Sequence, residues 1–345
     1  TYNMKKMLLY ILSFIILFFI LPIIFTITPK AETEEVVSNI ENVTQEQPEP
    51  EAETITYDYQ KYKTIKLFHS GSGQIEELPI DEYLYGVVSS EMPANYEAEA
   101  LKAQAIVART YTIYQIMNNS GKHPGADICD NSSCCQAWIS KDERLSKWAP
   151  EEAESNWNKI VDAVNSTSGK IITYQNKPIN AFFHSNSGGK TESSLNIWGG
   201  IDYPYLKSVE TAGEEGYTQY SSEAKFTKEE LLNKLKEKYE DCEIDYSQEN
   251  CIQILEYTTS GRVKTIKFGN KEIAGTEART ILGLRSTNFT FTISGDEIIF
   301  SVIGYGHGVG MSQTGADALA KSGSNCEEII KHFYTDVEIV EVNSL

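Results

Sequence analysis

Three glutamates, Glu91, Glu97 and Glu99, lie close together in "VVSSEMPANYEAEALKAQAIVARTYT", Val87 to Thr112. Glu91 is set among Val87, Val88, Met92 and Pro93. Partial burial there raises a carboxyl's pKa, and an acid that stays protonated near neutrality can protonate a leaving oxygen. The bland alternative is a glutamate that binds backbone amides ahead of a helix. Glu97 and Glu99 have a plainer assignment. With Asn95 as cap, they fall in the first turn of a helix from Tyr96 to about Met117, where carboxylates oppose the dipole. The inner face of that helix centres on Ala105, flanked by Ala98, Leu101, Ala108 and Thr112. Arg109 stands about 40° from the centre and needs a partner.

"HPGADICDNSSCC" spaces His123, Cys129, Cys134 and Cys135 as H-x5-C-x4-C-C. Four soft or borderline ligands suit tetrahedral zinc better than a hard cation. A disulfide from Cys129 to Cys134 or Cys135 is the alternative, and both readings stay open. Cys242 and Cys251 bracket an acidic loop and can form a local disulfide, while Cys326 stands alone.

"FFHSNSGGKTES" (Phe182 to Ser193) invites a serine-hydrolase reading, but the G-x-S-x-G elbow is absent. Its His184, Ser185, Asn186 and Ser187 read better as a polar loop lining a groove. "GYGHGVGMSQTG" lacks both G-x-G-x-x-G spacing and a Walker lysine, so it is no nucleotide cradle. Its glycines can let backbone and His307 approach a polymeric ligand, or can form a tight turn entering a helix.

These residues need elements to hold them. "KTIKLFHSGSGQIEELPIDEYLYGVV" alternates as strands and then gives a short helix over Asp81 to Val88. A loop from Gly121 to Ser133, a helix near Asn156 to Ser166 and the strand-like "GKIITYQNKPINAFFHS" follow. Phe226 to Tyr239 reads as an amphipathic helix, and Ile252 to Ile303 as short strands with turns at Ser260-Gly261 and Gly269-Asn270. Strands and helices mixed without regular alternation indicate an α+β fold.

The 345 residues, 41% apolar, can bury a real core. Residues 7–27, "MLLYILSFIILFFILPIIFTI", carry no charge and are long enough for a transmembrane anchor. Lys5 and Lys6 ahead of them favour a short cytoplasmic end (1–6) and an outside C-terminal domain. Met4 precedes those lysines, so Thr1 to Asn3 read as additions to the natural start. Residues 28–57 read as an acidic, disordered tether. An extracytoplasmic domain then covers 58–345, with 210–300 as a candidate subdomain. From residue 55 onward 27 basic residues face 41 acidic ones, a net of −14. Nucleic acid is excluded as a partner, because phosphate binding needs a basic stripe.

Together, "EYLYGVVSSEMPANYEAEALKAQAIVARTYT", "FFHSNSGGKTES", "YPYLKSV" and "GYGHGVGMSQTGA" resemble the stage II sporulation protein D family of cell-wall enzymes, related to amidase enhancers. The resemblance spans about residues 60 to 336. It implies a glycan-binding groove and lytic transglycosylase activity on peptidoglycan strands, with Glu91 catalytic and Arg109, Tyr205 and Lys207 assisting it. It also points to substrate contacts from Gln104, Ser312 and Gln313, alongside His184, Ser185, Asn186, Ser187 and His307. The family's zinc loop coincides with His123, Cys129 and Cys135, with Cys134 where a histidine is expected. The resemblance further implies strands stripped of peptides as substrate, a partner amidase (stage II sporulation protein P) and a membrane scaffold (stage II sporulation protein M). Their setting would be the mother-cell membrane, facing the septal wall during engulfment.

Overall fold

A computed structural model describes residues 62–118 and 121–342. The cytoplasmic end, the anchor at 7–27 and the tether lie outside the described residues. Among the described residues no helix is long and apolar enough to cross a membrane.

Strands β1 (Thr64–Phe68) and β2 (Ile75–Pro79) form an antiparallel hairpin that runs directly into helix α1 (Ile80–Glu91). This helix is longer than expected from its sequence: it reaches Glu91, which is its last residue. Helix α2 (Ala98–Met117) follows, then β3 (Ile128–Cys129), which pairs parallel with β1. Asn95 does not cap α2. Glu97 occupies the N-cap, and its free backbone N–H donates to Asp317 Oδ1 at 2.7 Å. A distant carboxylate thus supplies the cap that a local side chain was expected to give.

Burial of α2 is nearly complete from Ala100 to Ile113, on every side rather than on one face. Such a helix is a core element around which others pack. It is packed against by α1, by α4 (Pro150–Asn165), which α3 (Lys141–Lys147) precedes, and by β4 (Lys170–Tyr174). Proline at the first position starts α4 six residues earlier than its apolar pattern predicts. Strand β4 reads "KIITY", buried through its centre, between β5 (Lys177–Pro178) and the chain-end strand. Short strand β6 (Phe183–His184) and helix α5 (Ser194–Trp198) complete this half.

Residues 221–303 build a second core. It holds β7 (Ser221–Thr227), α6 (Lys228–Lys236), the meander β8 (Ile252–Tyr257), β9 (Val263–Phe268), β10 (Lys271–Ala274), helix α7 (Gly275–Leu282), and the hairpin β11 (Phe289–Ser294), β12 (Glu297–Ile303). Phe226 belongs to β7, and Thr227 begins α6 with a reciprocal capping box to Glu230. Helix α7 interrupts a stretch that reads as strands throughout. Ala278 and Leu282, four apart, bury its inner face, and Gly283 ends it in the left-handed conformation.

The chain then returns to the first core through β13 (Met311–Ser312), α8 (Gln313–Lys321), α9 (Cys326–Phe333) and β14 (Glu338–Glu341), the last pairing with β4. In α9, Cys326, Ile329, Ile330 and Phe333 are buried at helical spacing, and Asn325 forms a capping box with Glu328. The whole is α+β. All six cysteines are free, Cys242 and Cys251 among them, and both of those thiols are buried in the second core.

Candidate active site

The two motifs meet as strands, the first where its start reads as strand-like and the second where a glycine-rich turn is expected. β13 pairs parallel with β6, Met311 opposite Phe183 and Ser312 opposite His184, and Asn186 bridges Tyr305. The approach is close because Gly310 has φ +73°. A Cβ there would lie 1.9 Å from the Phe182 carbonyl oxygen. This seam walls a cavity of about 570 Å³ with Glu91 at one end and Phe182, His184, Trp198, Arg279 and His307 around it. A second cavity, about 240 Å³, opens on the other side of Glu91 and is lined by Ser90, Pro93, Arg144, Trp148 and Gln219 among others. Glu91, Ser185 and Gln313 border both. Pro93, Tyr96 and Gln219 carry the surface on to a third hollow of about 710 Å³. The result is a groove with Glu91 part-way along it, the shape that a linear polymer requires.

Glu91 is the sole carboxylate among the described residues lining these three hollows. Its Oε1 accepts a 2.6 Å hydrogen bond from the backbone N–H of Ala137. Desolvation by the surrounding wall outweighs that bond and lifts the carboxyl to about 7. The acid form is therefore well populated at neutral pH.

Both groove histidines are neutral. Burial beside Arg262 pushes His184 down to about 3. Burial also holds His307 well below its ordinary value, and its Nδ1 accepts from the Val309 N–H at 3.0 Å. Neither can serve as a general acid near neutrality. The Trp198 ring is half exposed (50%) and lies 4.6 Å from Phe182 and 5.1 Å from His307, centroid to centroid. Such an aromatic face suits the apolar face of a sugar ring.

The expected residues divide. Ser185, His184, His307 and Gln313 line the groove, and Gln104 lies buried behind Gln313, accepting its amide at 3.3 Å. Asn186, Ser187 and Ser312 are not in contact with it. They are fully buried and serve Glu214, whose carboxylate accepts from the hydroxyls of Ser187 and Ser312, from Thr314 Oγ1 at 2.8 Å, and from the amides of Ser187 (3.0 Å) and Gly189 (2.9 Å). Asn186 donates to Thr314 at 2.9 Å. Polar groups in a tight seam must be paired internally, which is why they are not free for a ligand.

Arg109 is also away from the groove. It is fully buried and donates to the carbonyls of Thr167 (2.7 Å), Lys170 (3.2 Å) and Val164 (3.1 Å) and to Asp81 (3.2 Å). It closes the C-terminal end of α4, where a cation meets unpaired carbonyls and the negative end of the dipole. Tyr205 is buried, its hydroxyl accepting from the Asn180 N–H at 3.0 Å, and Lys207 is exposed; neither lines the groove. Arg279, Trp198 and Ala137 are the site residues that motif reading missed. Arg279 comes from the second core, and no local pattern marks a residue that reaches a groove from another core.

His123, Cys129, Cys134 and Cys135 converge, with ligand atoms within 4.8 Å of one another, into a cluster able to hold a metal ion. His123 Nε2 lies 3.3 Å from Cys134 Sγ and 3.5 Å from Cys135 Sγ, and those two sulfurs are 3.9 Å apart. No disulfide joins these cysteines. Cys134 and Cys135 also form part of the groove wall, three and two residues from the Ala137 amide that binds Glu91.

Residues 69–174, which hold Glu91, α2 and this cluster, match the family model described as "Stage II sporulation protein". The chain is 36% identical to the stage II sporulation protein D of Bacillus subtilis over 282 residues, 81% of this chain and 80% of that protein. The corresponding protein of Bacillus amyloliquefaciens gives the same identity and coverage. The amidase enhancer of Bacillus subtilis is 29% identical over 298 residues, 73% of this chain and 39% of that protein. The chain belongs to the stage II sporulation protein D family.

Proposed function

We propose that this family member is a lytic transglycosylase that cleaves the bond from N-acetylmuramic acid to N-acetylglucosamine in peptidoglycan strands. The observation that carries the reading is the single carboxylate, raised to about 7, part-way along an open groove. Hydrolysis of a glycoside needs two carboxyl groups, one as acid and one to activate water or attack the sugar. A lytic transglycosylase needs one. Glu91 gives its proton to the glycosidic oxygen as the C1–O bond breaks. Its carboxylate then takes the proton of the muramic acid C6 hydroxyl as that oxygen bonds to C1. The products are a free 4-hydroxyl on one fragment and a 1,6-anhydro end on the other, and no water is consumed.

The Ala137 amide holds one carboxyl oxygen of Glu91 in place. Ser185 and Gln313, which border both cavities, are placed to orient the sugars on either side of the scissile bond. Arg109 supports this geometry from the core.

The metal suited to the cluster is zinc. A tetrahedron with bonds of about 2.3 Å to sulfur and 2.0–2.1 Å to nitrogen has ligand–ligand edges of about 3.5–3.8 Å, close to the spacings found here. His123, Cys129, Cys134 and Cys135 would fill all four positions, so zinc would fasten the loop that carries the Ala137 amide without binding substrate.

Residues 7–27 would anchor the protein in the mother-cell membrane, with the groove outside the cytoplasm facing the septal wall. A partner amidase, of the stage II sporulation protein P kind, would strip the strands, and a scaffold of the stage II sporulation protein M kind would hold the assembly.

Mass spectrometry of peptide-free strands incubated with the purified protein tests the reading. Ends bearing 1,6-anhydro-muramic acid, absent with Glu91→Gln, are expected. Reducing ends would require a second carboxylate. Strands bound but never cut would make the protein a wall-binding enhancer.

A further inference from the structure

Between the cysteine–histidine cluster and α3 the chain passes through Gln136, Ala137 and Trp138, and the middle residue supplies the amide bound to Glu91. The side chains before and after it both rest on α1, the helix that ends in Glu91. Gln136 is 1% exposed, and its Nε2 donates to Tyr83 Oη and to Thr112 Oγ1, both at 2.9 Å. Tyr83 lies on α1 and Thr112 on α2, and both are fully buried. Thr112 gives its own hydroxyl proton to the Ala108 carbonyl at 2.8 Å, so it faces Gln136 as an acceptor. A side-chain amide bonded to two buried hydroxyls on different helices has little freedom to move.

Trp138 meets α1 about one turn further along, at Gly86. A Cβ on Gly86 would overlap the indole Nε1 and lie 2.6 Å from the Ile139 carbonyl oxygen, so only glycine lets this segment lie flat on the helix. The indole also packs edge to face with His69, ring centroids 5.3 Å apart. The donor and the acceptor of the Glu91 bond thus belong to one packed unit. α1 carries the carboxyl at its C-terminal end and, at Tyr83 and Gly86, the seats of the two residues beside the donor.

We infer that Gln136 and Trp138 are positioning residues, which hold the Ala137 amide at hydrogen-bonding distance from Glu91 by seating it on α1. Neither is among the residues that line the groove, so both act through the amide rather than on the strand. The inference rests on the reading of Glu91 as the acid. A displacement of 1 Å costs a catalytic group about 100-fold, which is what the two seats prevent. The amide favours the charged carboxylate while burial favours the acid. The same seats therefore set where Glu91 titrates as well as where it points.

The test compares Gln136→Met, which removes both donors at similar length, with Trp138→Ala and Trp138→Phe, all in the full chain. Two quantities are read. One is the titration of the Glu91 carboxyl by carbon NMR, its resonance identified by its loss in Glu91→Gln; the other is the pH profile of strand cleavage. A carboxylate that loses a hydrogen bond of this kind should titrate about 1–2 pH units higher, and the alkaline limb of cleavage should move up with it. At about pH 6, where the acid form predominates in every variant, kcat should fall about tenfold with KM unchanged. Trp138→Phe keeps a ring on Gly86 and should restore most of both. A lowered denaturation midpoint with the Glu91 titration unmoved would make the two residues structural only and overturn the inference. Trp138 is only part-buried, so Trp138→Ala decides alone if Gln136→Met does not fold. The carboxyl titration needs no substrate. A shifted titration without anhydro products would keep the positioning and remove the reaction, and anhydro products with an unmoved titration would do the reverse.

Discussion

The backbone N–H of Ala137 meets Oε1 of Glu91 at 2.6 Å, the carboxyl's sole hydrogen bond among the described residues. The bond favours the charged form and burial favours the neutral one. Burial wins, and the group titrates at about 7. A general acid must start protonated. Strand cleavage should therefore fall about tenfold per pH unit above about 7. A pH–rate profile flat from 6 to 9 would exclude Glu91 as the acid.

Glu91→Gln should lower kcat about 100- to 10,000-fold, the range for losing a general acid, since an amide keeps the Ala137 bond but has no proton to give. It should also change stability in a pH-dependent way. The folded-state pKa is raised, so the stabilisation it brings is present below the unfolded value of 4.5 and lost as pH rises through about 7. At pH 8 the glutamate folds with an ill-solvated charge that the glutamine lacks. The variant should then be more stable by about 1–3 kcal/mol, with the gap closing toward pH 5. Parallel urea titrations at both pH values check this, and a constant gap would contradict it.

The cysteine–histidine cluster acts on the same bond through the chain. Only Gln136 separates Cys135 from Ala137. Chelation, or Cys129→Ser, should strip bound metal, speed hydrogen exchange over residues 129–137 and leave the α2 amides protected. Cleavage should slow about tenfold, the worth of one well-placed hydrogen bond. Metal loss that leaves both exchange and turnover unchanged would detach the cluster from the site.

What could be read from the sequence followed locality. Glu91 was legible because its apolar setting lies in four adjacent residues, and the metal cluster because its ligands span thirteen positions. Long periodic segments such as α2 were legible too, though its burial on all sides was not. One helix's periodicity cannot reveal how many neighbours surround it. Asn186, Ser187 and Ser312 looked like ligand contacts because polarity in a glycine-rich loop suggests exposure. Their partner, Glu214, is distant in sequence, and only the β6–β13 pairing brings them together. Arg279 escaped for the same reason, because its groove is assembled by another core.

Arg109 separates structural from catalytic roles. Its guanidinium satisfies three carbonyls and Asp81 inside the first core. Arg109→Met leaves those carbonyls and the Asp81 charge without their donor, at a cost of about 3–5 kcal/mol. The denaturation midpoint should drop accordingly, while the fraction that remains folded keeps its KM for strands. Full stability with a raised KM would instead put Arg109 in contact with substrate.

Trp198 should behave in the opposite way. Its ring is half exposed, and α5 contributes only one buried residue, Ser194, to the molecule's interior. Truncation to alanine removes little from either core, so the denaturation midpoint should shift by less than about 0.5 kcal/mol. What it removes is the aromatic platform beside Phe182 and His307. Aromatic contacts of this kind contribute about 0.5–1.5 kcal/mol beyond area burial. KM for strands should therefore rise about 2- to 10-fold. Because the ring neither donates nor accepts the transferred proton, kcat at saturating strand concentration should change far less than with Glu91→Gln. A kcat loss as large as that of Glu91→Gln would mean that Trp198 positions the reacting bond itself.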